Sequence, residues 1–81
     1  MKVNILLFAT LRDYIGLSSV EIELPEGSTV KDLKEILANR YHQLKPAKTS
    51  IMAAINREFA TDEQVIPMNA EIALFPPVSG G

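Results

Sequence analysis

Only residues 29–41 are long and periodic enough to form an amphipathic helix that covers a sheet. Val30, Leu33, Ile36, Leu37 and Tyr41 recur at helical spacing as a buried stripe, with Asp32, Lys34, Glu35 and Asn39 on the other side. Thr29 followed three residues later by Asp32 gives this helix a capping-box-like start. One such helix shields one face of a sheet and leaves the other to water, which selects an α+β arrangement over a two-sided α/β one. The 81 residues allow one domain with one core, and a hydrophobic content of 47% suffices to fill it.

Strand signals flank the helix on both sides. Residues 3–9 are apolar on both faces, as a central strand requires. Residues 10–15 read as one short helical turn closed by Gly16 as its C-cap. Residues 19–24 alternate apolar with acidic side chains, the pattern of a strand with one wet face, and their closeness to the first strand favours an antiparallel hairpin. After the helix, residues 42–49 read as a loop broken by Pro46, and residues 50–55 as a third strand. Asn56-Arg57 has the form of a two-residue hairpin turn, returning through a stubby strand at Glu58-Phe59. Residues 67–70 punctuate again, and residues 71–75 form the last strand, ended by Pro76-Pro77. This order is that of a ubiquitin-like β-grasp: a mixed sheet with one main helix packed on one face. The central, side-by-side placement of its first and last strands is taken from the fold analogy.

Alternation assigns faces. Val3, Ile5 and Leu7 share one side of the first strand, and Asn4, Leu6 and Phe8 the other; in the last strand Ile72 and Leu74 oppose Glu71, Ala73 and Phe75. Asn4 and Glu71 mark the solvent side, so Leu6, Phe8 and Phe75 form an exposed apolar patch where the two strands are neighbours. Such a patch marks a protein partner. Arg12, just after the first strand, is a candidate polar rim residue of that interface.

The sequence closes on Val78-Ser79-Gly80-Gly81 after the diproline. Two residues without side chains let a carboxylate pass through a narrow channel into another protein's active site. The diproline stiffens the root and lowers the entropy lost on insertion. The expectation is a domain over residues 1–75 and a flexible tail over residues 76–81. Gly81 then carries the reacting carboxylate, and Pro76, Pro77, Val78, Ser79 and Gly80 serve its insertion.

Other chemistry is thin. There is no cysteine, hence no thiol nucleophile, disulfide framework or cysteine zinc site. His42, the one histidine, sits at the helix end, where a cation offsets the dipole. The paired acids Asp62-Glu63 and Glu21/Glu23 have no His or Cys beside them to make a metal set, so no metal site is expected and these read as solvated residues. No glycine-rich phosphate loop is present. The chain is therefore expected to do no catalysis by itself. Eight basic residues spread along the sequence, against ten acidic ones, disfavour nucleic acid. The longest apolar run, residues 5–9, is too short to span a membrane, and the N-terminus reads as a strand of a cytoplasmic protein, not a signal peptide.

Phe8-Ala9-Thr10-Leu11-Arg12-Asp13 with Gly16, the single helix, and the ending Phe75-Pro76-Pro77-Val78-Ser79-Gly80-Gly81 resemble the small subunits of molybdopterin synthase over essentially the whole chain. One departure is Asn69-Ala70-Glu71, where that family commonly has Gly-Asp-Glu; it touches the turn before the last strand. The resemblance implies that a ubiquitin-activating-enzyme-like adenylyltransferase uses ATP to make an acyl-adenylate of Gly81. A sulfur donor then leaves a thiocarboxylate there, and the large synthase subunit receives the loaded tail. Sulfur passes to cyclic pyranopterin monophosphate, twice per dithiolene. It also implies that Phe8 and Phe75, with Arg12, form the docking face for both partners, beside Leu6 of the apolar patch, with covalent sulfur at Gly81, no stably bound cofactor, and a heterotetramer with the large subunit. Two rivals share the fold and terminus: a thiamine-pathway sulfur carrier, with a different acceptor, and a ubiquitin-like protein modifier, joined to lysines of its targets. A plain interaction domain with an inert tail is a third.

Overall fold

In the computed structural model the structure describes residues 1–76; Pro77, Val78, Ser79, Gly80 and Gly81 lie outside the described residues. The apolar positions of residues 3–7 alternate as expected. Val3, Ile5 and Leu7 of strand β1 (Lys2–Leu7) are buried, while Lys2 and Asn4 are exposed. The other strands are β2 (Ser19–Glu23), β3 (Met52–Ile55), β4 (Glu58–Ala60) and β5 (Ile72–Phe75). They form one five-stranded mixed sheet in the order β2-β1-β5-β3-β4. β1 runs antiparallel to β2, with Val3 opposite Ile22 and Ile5 opposite Val20. It runs parallel to β5, with Ile5 opposite Ile72 and Leu7 opposite Leu74. The first and last strands thus lie side by side, as the β-grasp requires.

Two helices follow local rules. Helix α1 (Ala9–Ile15) ends at Gly16, whose φ of 84° is the left-handed conformation open to glycine and whose N–H closes on the Arg12 carbonyl at 2.7 Å. Helix α2 (Val30–Arg40) starts with a complete capping box. The Thr29 hydroxyl accepts from the Asp32 N–H, and the Asp32 carboxylate accepts from the Thr29 N–H at 2.9 Å. Val30, Leu33 and Leu37 of α2 join Ile5, Ile22, Ile72 and Leu74 of the sheet in one core, with Ile36 and Tyr41 only partly covered.

Three details differ from expectation. Residues 42–49 are not a loop but most of a 3₁₀ helix (His42–Ser50) with Pro46 inside it, so the strand expected from residue 50 begins at Met52. Leu44 anchors this helix, its side chain buried and its N–H on the Tyr41 carbonyl at 2.9 Å, the three-residue bond that defines a 3₁₀ turn. Lys34, expected on the polar side of α2, is 7% exposed. Its ammonium donates to the Ile51 carbonyl and meets Asp62 at 2.8 Å, so the loop acid expected to be solvated is the partner that lets the lysine be buried. Finally β1 stops at Leu7, and Phe8 is the extended N-cap of α1, still joined to the sheet by its N–H to the Leu74 carbonyl at 3.2 Å.

Asn69 has a φ of 60°. Asparagine is one of the few side chains that enter this region readily, so it can fill the position where a glycine is common in the resembling family.

Candidate functional site

The sheet register builds the face that α2 leaves open. Leu6 stands opposite Ala73 on β5, Ala73 opposite Ala54 on β3, and Ala54 opposite Phe59 on β4. Side chains in register across neighbouring strands share a face, so this row is apolar from β1 to the far edge. Two small alanines at its middle leave a depression of about 350 Å³, walled by Leu6, Phe8, Phe59 and Phe75 and rimmed by Arg57 and Glu71. Phe8 stacks on Phe75 with ring centroids 4.9 Å apart and planes 10° from parallel. Phe59 leans on Phe75 at 6.2 Å and 59°. Phe8 is 41% and Phe59 74% exposed. Three aromatic rings facing water around a hollow are an anchor site for an apolar side chain of another protein.

The fold therefore brings together three of the four residues expected to dock a partner: Leu6, Phe8 and Phe75. Arg12 is exposed on α1 and does not line the depression. Sequence reasoning missed Phe59 and Arg57. The Asn56-Arg57 turn carried the signal, since a two-residue hairpin fixes Ile55 opposite Glu58 and hence Ala54 opposite Phe59.

The rim is tied to the sheet. Asn56 N–H donates to the Glu71 carbonyl at 2.8 Å, and Glu71 N–H donates to Asn56 Oδ1 at 2.9 Å. Arg57 Nε lies 3.6 Å from Glu71 Oε1. A larger hollow of about 410 Å³ lies beside the start of α2, but it is shallow, and its Asp32 carboxylate is engaged in the cap. Among the described residues no three His, Cys, Asp or Glu side chains gather to hold a metal ion, and no helix is long and apolar enough to cross a membrane.

The ThiS family pattern matches residues 5–81. The chain belongs to the ThiS family. Within it the chain groups with the molybdopterin synthase sulfur carrier subunits. It is 40% identical to that of Dictyostelium discoideum, covering 99% of this chain and 96% of the relative. It is 30% identical to that of Arabidopsis thaliana, covering 100% of this chain and 84% of the relative. Among solved structures it superposes on SAMP1, small archaeal modifier protein 1, of Haloferax volcanii. That match has a TM-score of 0.84 and 28% identity and covers 100% of both chains. The resemblance carried by residues 8–16 and 75–81 thus holds at the level of family, and the ThiS fold is the ubiquitin-like β-grasp seen here.

Proposed function

We propose that this chain is the sulfur carrier subunit of a cytoplasmic molybdopterin synthase, with residues 1–75 as its docking domain and residues 76–81 as the tail that works in its partners. The Gly81 carboxylate attacks the α-phosphate of ATP in a partner adenylyltransferase, giving an acyl-adenylate and pyrophosphate. A sulfur donor displaces AMP, which leaves with one carboxylate oxygen, and Gly81 keeps the sulfur as a thiocarboxylate. The large subunit admits the tail and directs that sulfur onto cyclic pyranopterin monophosphate; water then restores the carboxylate. Two rounds supply the dithiolene, and two carriers served by two large subunits make a heterotetramer. The chain supplies no acid, base or resident cofactor to these steps. It supplies a terminus thin enough to enter, Gly80-Gly81, and a surface to hold on to.

The observation that carries this reading is the stacked Phe8–Phe75 pair on the open face of the sheet, directly at the root of the tail, since Pro76 follows Phe75. A partner anchored there holds the emerging tail at a fixed distance from its own active site, which removes much of the entropy of finding it. Phe59 extends the anchor, and Arg12 takes the outer rim on α1. The names of the Dictyostelium and Arabidopsis relatives support sulfur as the cargo. Intact-mass analysis of protein from its own cells tests it: oxygen replaced by sulfur at the C-terminus is expected. An ordinary carboxylate on every molecule, even with the activating enzyme and sulfur source supplied, refutes it.

Likeness to an archaeal modifier favours a second use of the same activated Gly81, transfer to a lysine amine of another protein. It would appear in cells as higher-mass adducts that survive thiol treatment. A thiamine-pathway carrier would load sulfur equally but would yield no molybdopterin with the large subunit.

A further inference from the structure

The tip of the β3–β4 hairpin breaks a local rule. Asn56 and Arg57 both have positive φ, 51° and 71°, as a two-residue turn of the I′ type demands. Asparagine suits the first position. The second strongly prefers glycine, and a long, β-carbon-bearing side chain held there is strained. Nothing in the free chain offsets that strain through the Arg57 side chain, which is 87% exposed and makes one ion pair among the described residues, at 3.6 Å with a half-exposed Glu71. A pair so open to water contributes little. A residue kept in an unfavourable conformation without an evident structural return points to a use outside the fold.

The geometry says what that use is. Glu71 is fastened to the turn by its backbone bonds with Asn56 and meets the guanidinium from the Nε side. The opposite edge, with the two terminal nitrogens, has no partner among the described residues, and that edge matches a carboxylate in a two-point fork. Arg57 also rims the depression walled by Phe59 and Phe75, so a partner seated in the hollow is within its reach. Covering the guanidinium beside aromatic rings then strengthens its pairing by excluding water. We propose that Arg57 is a specificity-determining docking residue: Glu71 aims it, and its free edge takes an Asp or Glu of a partner protein whose neighbouring apolar side chain fills the aromatic depression. The occupant is the large synthase subunit, so the inference rests on the sulfur-carrier reading.

Titration of the full chain against the large subunit, with the melting temperature of each variant measured alongside, tests it. Arg57→Gly relieves the strained position, so it leaves the melting temperature unchanged or raised while weakening binding about tenfold. Arg57→Lys keeps the charge and loses the fork, and falls between the two. Arg57→Glu weakens binding most, with a deficit that shrinks as salt rises. If all three variants bind within about twofold of the parent, or if Arg57→Gly lowers the melting temperature, the inference is overturned. A parent chain that fails to bind the large subunit overturns the sulfur-carrier reading instead, so the two failures are told apart.

Discussion

Removing the Asp62 carboxylate measures how much the fold depends on one buried lysine. The Lys34 side chain is 8% exposed and that of Asp62 42%, with 2.8 Å between ammonium and carboxylate. Deleting one member of a fully buried pair costs about 3–5 kcal/mol, because the survivor is left as an uncompensated charge. Here the cost is lower. Asp62 is already nearly half in water, Lys34 keeps its bond to the Ile51 carbonyl, and a cavity of about 120 Å³ beside Lys31 and Lys48 gives water a way in. We therefore expect Asp62→Ala to cost about 2 kcal/mol, which for a domain of this size lowers the melting temperature by about 8–16 °C. Lys34→Met removes the charge at similar volume and costs only about 1 kcal/mol, for the Ile51 carbonyl left without its donor. The double variant should match Lys34→Met alone, because Asp62 then has nothing to neutralise. Urea unfolding followed by circular dichroism, with an unchanged slope, gives all three values. A loss below about 0.5 kcal/mol for Asp62→Ala, or strict additivity in the double variant, would show a solvated surface pair and sink the argument.

Phe75→Ala should weaken binding to the large subunit by about 1 kcal/mol or more; calorimetric titration showing unchanged affinity would remove Phe75 from the interface. Thr29→Ala opens the capping box and should cost about 1 kcal/mol of stability in the same urea assay. Gly16→Ala meets no atom within 4 Å, so any loss is backbone strain at φ 84°, about 1 kcal/mol. Asn at the same position should recover most of it in thermal melts.

What the sequence made legible was governed by short-range rules. The capping box at Thr29, the left-handed cap at Gly16 and the turn at Asn56-Arg57 each depend on residues a few positions apart, and each formed as expected. The face assignment of Leu6, Phe8 and Phe75 came from period-two alternation along two strands. The misses were long-range or too short to show a period. Lys34 is paired with a residue 28 positions away, and helical periodicity counts a lysine as polar whatever waits for it across the core. Phe59 lies in a strand of three residues, too brief for alternation to name its face without the register of its partner. The 3₁₀ helix was hidden by Pro46, which ordinarily signals an end to helical backbone.

The position of β5 in the sheet bears on how such a molecule is made. Residues 72–75 are synthesised after every other element described, yet they stand between β1 and β3 and contribute the fully buried Ile72 and Leu74. A ribosome that stops before them releases a chain whose first strand lacks its parallel neighbour and whose core has a gap at its centre. Pairing between β1 and β5 is a late, non-local event. Folding therefore waits for the strand that leads directly into Pro76 and the segment proposed to carry sulfur. A chain cut short before β5 stays open to proteolysis.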